Sequence, residues 1–253
     1  MQQVKFEIIS NLPLTADIFR MWLRAGSQEA LTALQACKAG QFINLAVEGC
    51  FLRRPISICD IDGDRLCIVY KTIGKGTTIL SQMQPAQQID VLLPLGNGFC
   101  IEVAGEQPVL VGGGVGVPPM LLLAKQLIKR CKQVDVVLGF NTDRDIILAD
   151  DFSSLGCNVI IATADGSAGH KGFVTDALRT INANLQNTYF YSCGPKPMLR
   201  ALQEQLTIDG QMSMEERMGC GFGSCMGCTC KTTKGTKQVC TDGPVFLKEE
   251  LIF

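Results

Sequence analysis

The sequence predicts an α+β protein of several domains, and three observations support this fold class. Residues 1–103 hold six short runs rich in β-branched and aromatic residues, which are typical of an antiparallel β-barrel. Residues 104–210 alternate strand-like and helical segments, which favours a central α/β domain built on a parallel sheet. Residues 211–253 concentrate glycine and cysteine, so we expect a separate C-terminal segment with its own chemistry.

The barrel prediction depends on how the six runs are separated. Turn-forming residues such as Pro13, Gly63 and Gly98 lie between them. Closing the strands into a barrel also removes the exposed sheet edges. Between the second and third runs, Ser27 to Cys37 has the composition of a short helical insertion. The six predicted strands are 5–10, 18–25, 41–48, 54–61, 65–72 and 88–95.

The central part follows a strand–helix pattern from Val109 onward. Pro118 to Arg130 predicts a helix, because proline is tolerated in the first turn and cations gather at the end. After Gly210 we expect the alternation to stop. The predicted strands of this part are 109–111, 134–140, 158–163 and 188–192, and its further helices are 173–181 and 197–208.

Composition excludes several classes of function. The 253 residues carry a net charge of -1, so no basic surface for nucleic acid is expected. The single histidine, His170, argues against a multi-histidine metal site and leaves little for a Ser-His-Asp hydrolase. The longest apolar stretch, 109–124, is too short and too interrupted by glycine and proline to span a membrane. No secretory signal precedes it, so we expect a reducing compartment.

Cysteine is unusually abundant and unevenly distributed. Five of the thirteen cysteines lie between residues 220 and 240. Cys220, Cys225 and Cys228 have the spacing Cys-x4-Cys-x2-Cys, and with the distant Cys240 they match the plant-type 2Fe-2S arrangement. Zinc is the alternative, although zinc sites usually place two short Cys-x2-Cys hooks and only one is present. Cys230 could replace Cys228 as a ligand, but an i, i+2 position points elsewhere on an extended loop, so we expect Cys230 to be a free thiol.

Two segments of the barrel point to a flavin nucleotide. Arg54-Pro55-Ile56-Ser57 starts a strand, where an arginine can pair with a pyrophosphate and a serine hydroxyl can reach a flavin ring nitrogen. Gly74-Lys75-Gly76-Thr77 opens a short helix whose amides can bind phosphate. Alone, the first motif is more typical of a solvated strand edge, and the second is more typical of a tight turn. Their combination, ahead of an α/β domain, favours nucleotide binding.

A second nucleotide is indicated at the carboxyl edge of the parallel sheet. Gly112, Gly113, Gly114 and Gly116 follow the first strand and open a helix, which lets a pyrophosphate approach the backbone. Cys193-Gly194-Pro195 ends another strand at this edge, where the thiol can contact a nicotinamide. Asp165, after a third strand, can hold a ribose. No Arg or Lys lies within 163–167, which favours NAD over NADP.

These motifs, in this order, resemble the ferredoxin-reductase superfamily and, more narrowly, the electron-transfer subunits of class 1B dihydroorotate dehydrogenases. The resemblance covers nearly the whole chain, and its most specific part is Glu216-Arg217-Met218-Gly219-Cys220 with the cysteines that follow. It implies an FAD-binding barrel over 1–103, an NAD-binding domain over 104–210 and a 2Fe-2S segment over 211–253.

The resemblance also implies residue roles and partners. One FAD per subunit would be held by Arg54, Pro55, Ile56, Ser57, Lys71, Thr72, Ile73, Gly76 and Thr77, and one 2Fe-2S cluster by Cys220, Cys225, Cys228 and Cys240. NAD would bind Gly112, Gly113, Gly114, Gly116, Asp165, Cys193, Gly194 and Pro195 as co-substrate, with Ser57 and Cys193 at the reacting atoms. The expected assembly is a cytoplasmic heterotetramer with two FMN-containing catalytic subunits.

Two rival functions remain open from the sequence. The same module serves other NAD(P)H oxidoreductases, such as ferredoxin:NAD(P) or sulfide-linked enzymes, because the electron donor binds at a surface that the motifs do not describe. A different class would be a nucleotide-sensing protein whose tail binds zinc as an interaction module. The preferred interpretation is an electron-transfer subunit that passes electrons to NAD+ for pyrimidine synthesis.

Overall fold

A computed structural model describes residues 1–131, 133–181 and 188–253. Its first part is the expected closed antiparallel barrel, with strand order β1-β2-β5-β4-β3-β6. Alternate residues point into a core that includes Phe6, Ile8 and Leu23. The six strands are β1 (Gln2–Pro13), β2 (Ile18–Ala25), β3 (Phe42–Leu45), β4 (Arg54–Asp62), β5 (Arg65–Lys71) and β6 (Gln88–Leu95).

Two short helices are inserted between the barrel strands. Helix α1 (Gln28–Gln35) confirms the insertion expected over 27–37 and is capped by Ser27, whose Oγ accepts a hydrogen bond from the Ala30 amide at 3.2 Å. Helix α2 (Lys75–Gln82) follows Gly74. Its N-terminus, rather than its apolar face, is the part that concerns the site described below.

The second part is a seven-stranded sheet with the order β10-β9-β8-β7-β11-β12-β15. Its strands are β7 (Val109–Gly113), β8 (Asp135–Phe140), β9 (Asn158–Thr163), β10 (His170–Lys171), β11 (Phe190–Cys193), β12 (Gly210–Ser213) and β15 (Val245–Leu247). The helices around it are α3 (Pro118–Leu127), α4 (Ala149–Ser154), α5 (Val174–Ala177) and α6 (Lys196–Gln205).

The second part differs from the sequence expectation in several features, including strand β10, which was not predicted. The sheet does not stop at Gly210, because β12 pairs parallel to β11 and β15 closes the sheet antiparallel to β12. These strands are only four and three residues long, too short for a visible period. Helix α5 ends at Ala177, and a 3-10 turn takes over part of the predicted helix 173–181. Helix α4 was not predicted.

The remaining tail forms a small hairpin of β13 (Thr229–Thr232) and β14 (Gly235–Gln238). The barrel and the sheet are joined by Arg20, which pairs with Asp151 at 2.7 Å, and by Lys125, which pairs with Asp60 at 3.0 Å. The Tyr191 hydroxyl also donates to the Cys100 carbonyl at 2.8 Å. No helix among the described residues is long and apolar enough to cross a membrane.

Candidate functional site

The glycine-rich turn at the end of β7 owes most of its glycines to close packing. An ideal Cβ at Gly116 would lie 2.5 Å from the carbonyl carbon of Cys193, and one at Gly113 would lie 2.5 Å from Sδ of Met198. Gly114 differs, because its φ of +52° needs glycine but open space surrounds it. The turn is therefore pressed against the end of β11, with Gly114 facing outward.

The segment Cys193-Gly194-Pro195 meets this turn because β11 lies beside β7. Cys193 is opposite Gly112 on one side and Ser213 on the other. Burial raises the pKa of the Cys193 thiol to about 12, so the thiol is protonated at neutral pH. A neutral thiol can pack against a ligand ring but is a poor nucleophile.

Asp165 lies just beyond the end of β9, at the same carboxyl edge of the sheet. Its Oδ1 accepts hydrogen bonds from the amide and hydroxyl of Ser167, at 2.9 and 2.6 Å. The hydroxyl bond is the main reason that the pKa of Asp165 is lowered. Sequence reasoning saw no cation within 163–167, but β10 brings the Lys171 side chain against Gly166. Lys171 is four residues beyond this segment in the chain and next to it in space.

The flavin motif Arg54 to Ser57 begins β4 at the rim of the barrel. The Arg54 guanidinium lies against the first turn of α2, since an ideal Cβ at Gly76 would be 2.5 Å from its Cζ. Arg54 donates to the carbonyls of Leu52 and Arg53, and pairs with no carboxylate of the described residues. The neighbouring Arg53, by contrast, is neutralised by Asp90 at 2.6 Å.

This arrangement places two positive groups together. The N-terminus of α2 carries unpaired amides and the positive end of the helix dipole, and the Arg54 cation faces it. An anion bound beside both groups would relieve the repulsion and accept hydrogen bonds from the guanidinium and from the amides. Thr77 stiffens the turn, because its Oγ accepts from the amide of Ile73 at 3.0 Å. The residues therefore fit a phosphate group.

The remaining flavin candidates line the approach to this turn. Lys71 ends β5 and pairs with Asp17 at 3.0 Å, and the Thr72 amide donates to the Asp17 carbonyl at 2.8 Å. Ile73 is 82% exposed, which is unusual for a large apolar side chain at the start of a helix. Lys71 is thus partly neutralised, whereas Ile73 offers an apolar surface beside the anion site.

The tail cysteines are brought together as two pairs. The side chain of Cys220 interacts with that of Cys225, and the side chain of Cys240 interacts with that of Cys228. The amides of Phe222 and Ser224 donate to Sγ of Cys220, at 3.5 and 3.2 Å, and the Cys240 amide donates to Sγ of Cys228 at 3.4 Å. Amide donors of this kind stabilise thiolates.

Pairs of thiols suit a cluster with two irons better than a single ion. In a 2Fe-2S cluster each iron takes two protein thiolates, so one pair can serve each iron. Cys230 follows two residues after Cys228, in the hairpin strand β13, and burial raises its pKa.

Two asparagines that sequence reasoning did not assign to the site bind the C-terminal segment, Asn44 at the cysteine loop and Asn97 beyond it. Nδ2 of Asn44 donates to the Cys220 carbonyl at 2.9 Å, and Nδ2 of Asn97 donates to the Val245 carbonyl at 2.7 Å. Glu216 of the specific motif forms an ion pair with Lys196, at the start of α6. One signal was available, since Asn44 interrupts the apolar run of a buried strand.

Comparison with known proteins agrees with this geometry. A model described as the iron-sulfur cluster binding domain of dihydroorotate dehydrogenase B matches residues 215–252, and the oxidoreductase NAD-binding domain matches residues 110–204. The electron transfer subunit of dihydroorotate dehydrogenase B (NAD(+)) from Geobacillus sp. (strain WCH70) is 42% identical, covering 100% of this chain and 99% of the relative. The chain belongs to this family of electron transfer subunits.

Other relatives extend the family assignment. The corresponding subunit from Fusobacterium nucleatum is 40% identical over 95% of both chains. FAD, a 2Fe-2S cluster and NAD(H) are the cofactors that family and fold assign to the chain, as expected from the sequence. The term electron transfer subunit also implies a catalytic partner subunit.

Solved structures extend the comparison of the fold. An NADH-dependent reduced ferredoxin-NADP oxidoreductase structure superposes with a TM-score of 0.85 and 28% identity, covering 98% of this chain and 89% of that one. The ferredoxin reductase in carbazole 1,9a-dioxygenase, at 21% identity and a TM-score of 0.70, covers 81% of this chain and 65% of that one. The latter likeness concerns the fold alone.

Proposed function

We propose that this chain passes electrons from the FMN of a catalytic dihydroorotate dehydrogenase subunit, through a 2Fe-2S cluster and FAD, to NAD+. The product of the partner's reaction would serve pyrimidine (UMP) synthesis. The observation that carries the proposal is the attachment of the cysteine loop to β3, the strand hydrogen-bonded to the one that begins with Arg54. The loop of the cluster ligands is thereby held against the barrel, next to the strand that carries the flavin ligands.

The residues that would hold FAD divide into two groups. Arg54, Gly76 and Thr77 would bind the pyrophosphate, because the Arg54 guanidinium and the positive end of α2 lie together. Pro55, Ile56 and Ser57 continue along β4, and Lys71, Thr72 and Ile73 lead into α2, so these would flank the ring system. The Ser57 hydroxyl would donate to a ring nitrogen. FAD supplies the conversion between single electrons and a hydride.

NAD would bind across the carboxyl edge of the sheet. Gly114 would face the pyrophosphate, with Gly112, Gly113 and Gly116 shaping the turn behind it. Asp165 would hold a ribose hydroxyl, and Cys193-Gly194-Pro195 would contact the nicotinamide with a protonated thiol. The role of the protein is to orient the ring and exclude water, because hydride transfer needs no acid or base. The shortage of histidine is consistent with this.

Cys220, Cys225, Cys228 and Cys240 would hold the cluster, one pair at each iron. The finer assembly, a heterotetramer with two FMN-containing subunits, is part of the proposal. So is a cytoplasmic location, which is supported by thirteen free cysteines that a reducing compartment would preserve. The proposed division into an FAD segment 1–103, an NAD segment 104–210 and a cluster segment 211–253 follows these binding functions. Strands β12 and β15, however, extend the central sheet.

The proposal is tested by purifying the native complex and the chain alone. We expect FAD, iron and acid-labile sulfide in both, FMN only in the complex, and dihydroorotate-dependent NAD+ reduction only in the complex. NADH should reduce a dye with the chain alone. Oxidation of dihydroorotate by the isolated chain, or a preparation with stoichiometric zinc and no iron, would contradict the proposal.

A second candidate is favoured by one observation. The 28% identity and full-length superposition with an NADH-dependent reduced ferredoxin-NADP oxidoreductase support a ferredoxin-linked role. The two functions differ in the electron donor, so the discriminating measurement is NAD+ reduction by the chain with reduced ferredoxin. A rate that matches the rate with the dihydroorotate-oxidising partner would favour the ferredoxin-linked function.

A further inference from the structure

Asn44 is a buried polar residue on the outer face of the barrel. It lies in β3, whose four residues are all buried, and only 1% of its surface is exposed. Ile43 and Leu45 pack into the barrel core, whereas Phe42 packs into the separate apolar cluster that includes Cys228 and Cys240. Since side chains alternate along a strand, Asn44 shares the Phe42 face and points toward the tail.

The contacts of Asn44 are made with the backbone of the cysteine loop. Its Nδ2 donates to the carbonyl of Cys220 at 2.9 Å, which fixes the orientation of the amide. The next residue, Gly221, has a φ of +79°, and an ideal Cβ there would lie 2.6 Å from the same Nδ2. The loop therefore approaches β3 so closely that only glycine fits opposite Asn44.

The other end of the amide has no partner. Oδ1 of Asn44 is buried and accepts no hydrogen bond from the described residues. A buried amide with one unpaired oxygen costs free energy, so an apolar residue would serve packing better. Packing alone does not account for asparagine at this position.

The strand register places Asn44 beside the flavin motif. Asn44 is directly opposite Pro55, and Phe42 is opposite Ser57. Cross-strand partners share a face of the sheet, so Pro55 and Ser57 lie on the face that the cysteine loop approaches. We propose that Asn44 is a positioning residue, which fixes the spacing between the loop of Cys220 and the flavin strand and thereby sets the rate of electron transfer between cluster and flavin. The inference rests on the proposed function.

The test compares Asn44→Leu with a matched control in the holoenzyme. Leucine has a similar volume and removes both the donor and the unpaired oxygen, so the variant should fold. The control is Asn97→Ala, which removes the other asparagine that attaches the tail, through the Val245 carbonyl, away from β4. Each protein is mixed with NADH, and flavin reduction and cluster reduction are followed separately by absorbance.

We expect flavin reduction to be unchanged and cluster reduction to slow by about five- to tenfold in Asn44→Leu, the effect of one lost positioning hydrogen bond. The electron paramagnetic resonance spectrum of the reduced cluster should also change. Asn97→Ala should lower the melting temperature without slowing cluster reduction. Unchanged rates and spectrum in Asn44→Leu, or equal slowing in the control, would overturn the role of Asn44.

A second experiment uses the close contact at Gly221. Gly221→Ala should reduce bound iron and sulfide because the new Cβ collides with Asn44. Combining it with Asn44→Ala removes the collision, and the next nearest atom is a Phe42 carbon at 3.7 Å. Iron content should then recover in part, with strain from the positive φ remaining. No recovery would contradict the proposal.

A wild-type complex that contains no iron or flavin after anaerobic purification would overturn the proposed function and the role of Asn44 with it. A wild-type protein with both cofactors, but with cluster reduction insensitive to Asn44→Leu, would overturn the positioning role and leave the proposed function intact.

Discussion

An ideal Cβ on Gly76 would lie 2.5 Å from Cζ of Arg54, so the guanidinium occupies the space that a side chain at position 76 would fill. Glycine at this position does not serve a special backbone angle. It allows a cation to lie directly on the positive end of α2, an arrangement that an anion stabilises. The first prediction follows from this contact.

Gly76→Ala should weaken FAD binding by displacing Arg54 from the helix N-terminus. A hydrogen bond to a charged group contributes about 1.5–3 kcal/mol, so the Kd for FAD should rise about 10- to 100-fold. The measurement is flavin fluorescence during titration of the deflavinated protein. Gly74→Ala is the matched variant, because its Cβ would contact nothing within 4 Å. Equal losses in the two variants would contradict the role given to Arg54.

Gly116→Ala should disturb the packing of the glycine-rich turn against the end of β11. The added Cβ would lie 2.5 Å from the carbonyl carbon of Cys193, which is backbone and cannot rotate away. Overpacking of this kind typically costs about 1–3 kcal/mol, and it should separate the turn from β11. We expect a lower melting temperature and a higher KM for NADH with flavin content retained. A normal KM at an unchanged melting temperature would show that the turn and β11 are not packed as described.

The architecture was predictable because its signals are local. The barrel runs, the helical insertion after Ser27 and the helix after Pro118 each follow from the residue pattern of a single segment. Strands β12 and β15 were missed, since three or four residues show no period and their place in the sheet comes from neighbours distant in sequence.

The site was predictable only in part, for a related reason. Cysteine spacing and the Arg54 motif can be recognised in the sequence, but their pairing cannot. Lys171 approaches Asp165 because the two-residue strand β10 pairs with the end of β9. Asn44 contacts Cys220, which is 176 positions away in the chain. Such contacts depend on tertiary structure, so no local pattern indicates them.

Replacing single cysteines of the tail should distinguish the cluster ligands from Cys230, which is expected to be a free thiol. Cys228→Ser and Cys240→Ser each remove one member of a pair, and we expect loss of most iron and acid-labile sulfide. Cys230→Ser is the control, because Cys230 lies in β13 outside the Cys-x4-Cys-x2-Cys spacing, and this variant should retain the cluster. The measurement is iron, sulfide and visible absorbance after anaerobic purification. Iron loss in Cys230→Ser with retention in Cys228→Ser would reverse the assignment.

Lys125 joins the α/β sheet to the barrel at β4, the strand that begins with Arg54. Its replacement should therefore lower the free energy of unfolding of the chain. Its ammonium group donates to both carboxylate oxygens of Asp60, at 3.0 and 3.2 Å, and to the Ile61 carbonyl at 3.0 Å. In Lys125→Met the apolar part of the side chain remains, but Asp60 loses its partner while only 16% of its side chain is exposed. We expect the free energy of unfolding to fall by about 1–3 kcal/mol.

The measurement is urea unfolding followed by circular dichroism, with Arg200→Met as the matched control. Arg200 also forms an ion pair, with Glu204 at 2.9 Å, but both side chains are about 60% exposed on one helix. An exposed pair of this spacing contributes about 0.3–0.5 kcal/mol, because water and salt screen it. The difference between the variants should persist in 0.5 M salt, since the Lys125 contacts are half-buried. If both variants lost an equally small free energy of unfolding, Lys125 would be an ordinary surface cation rather than a link between the barrel and the sheet.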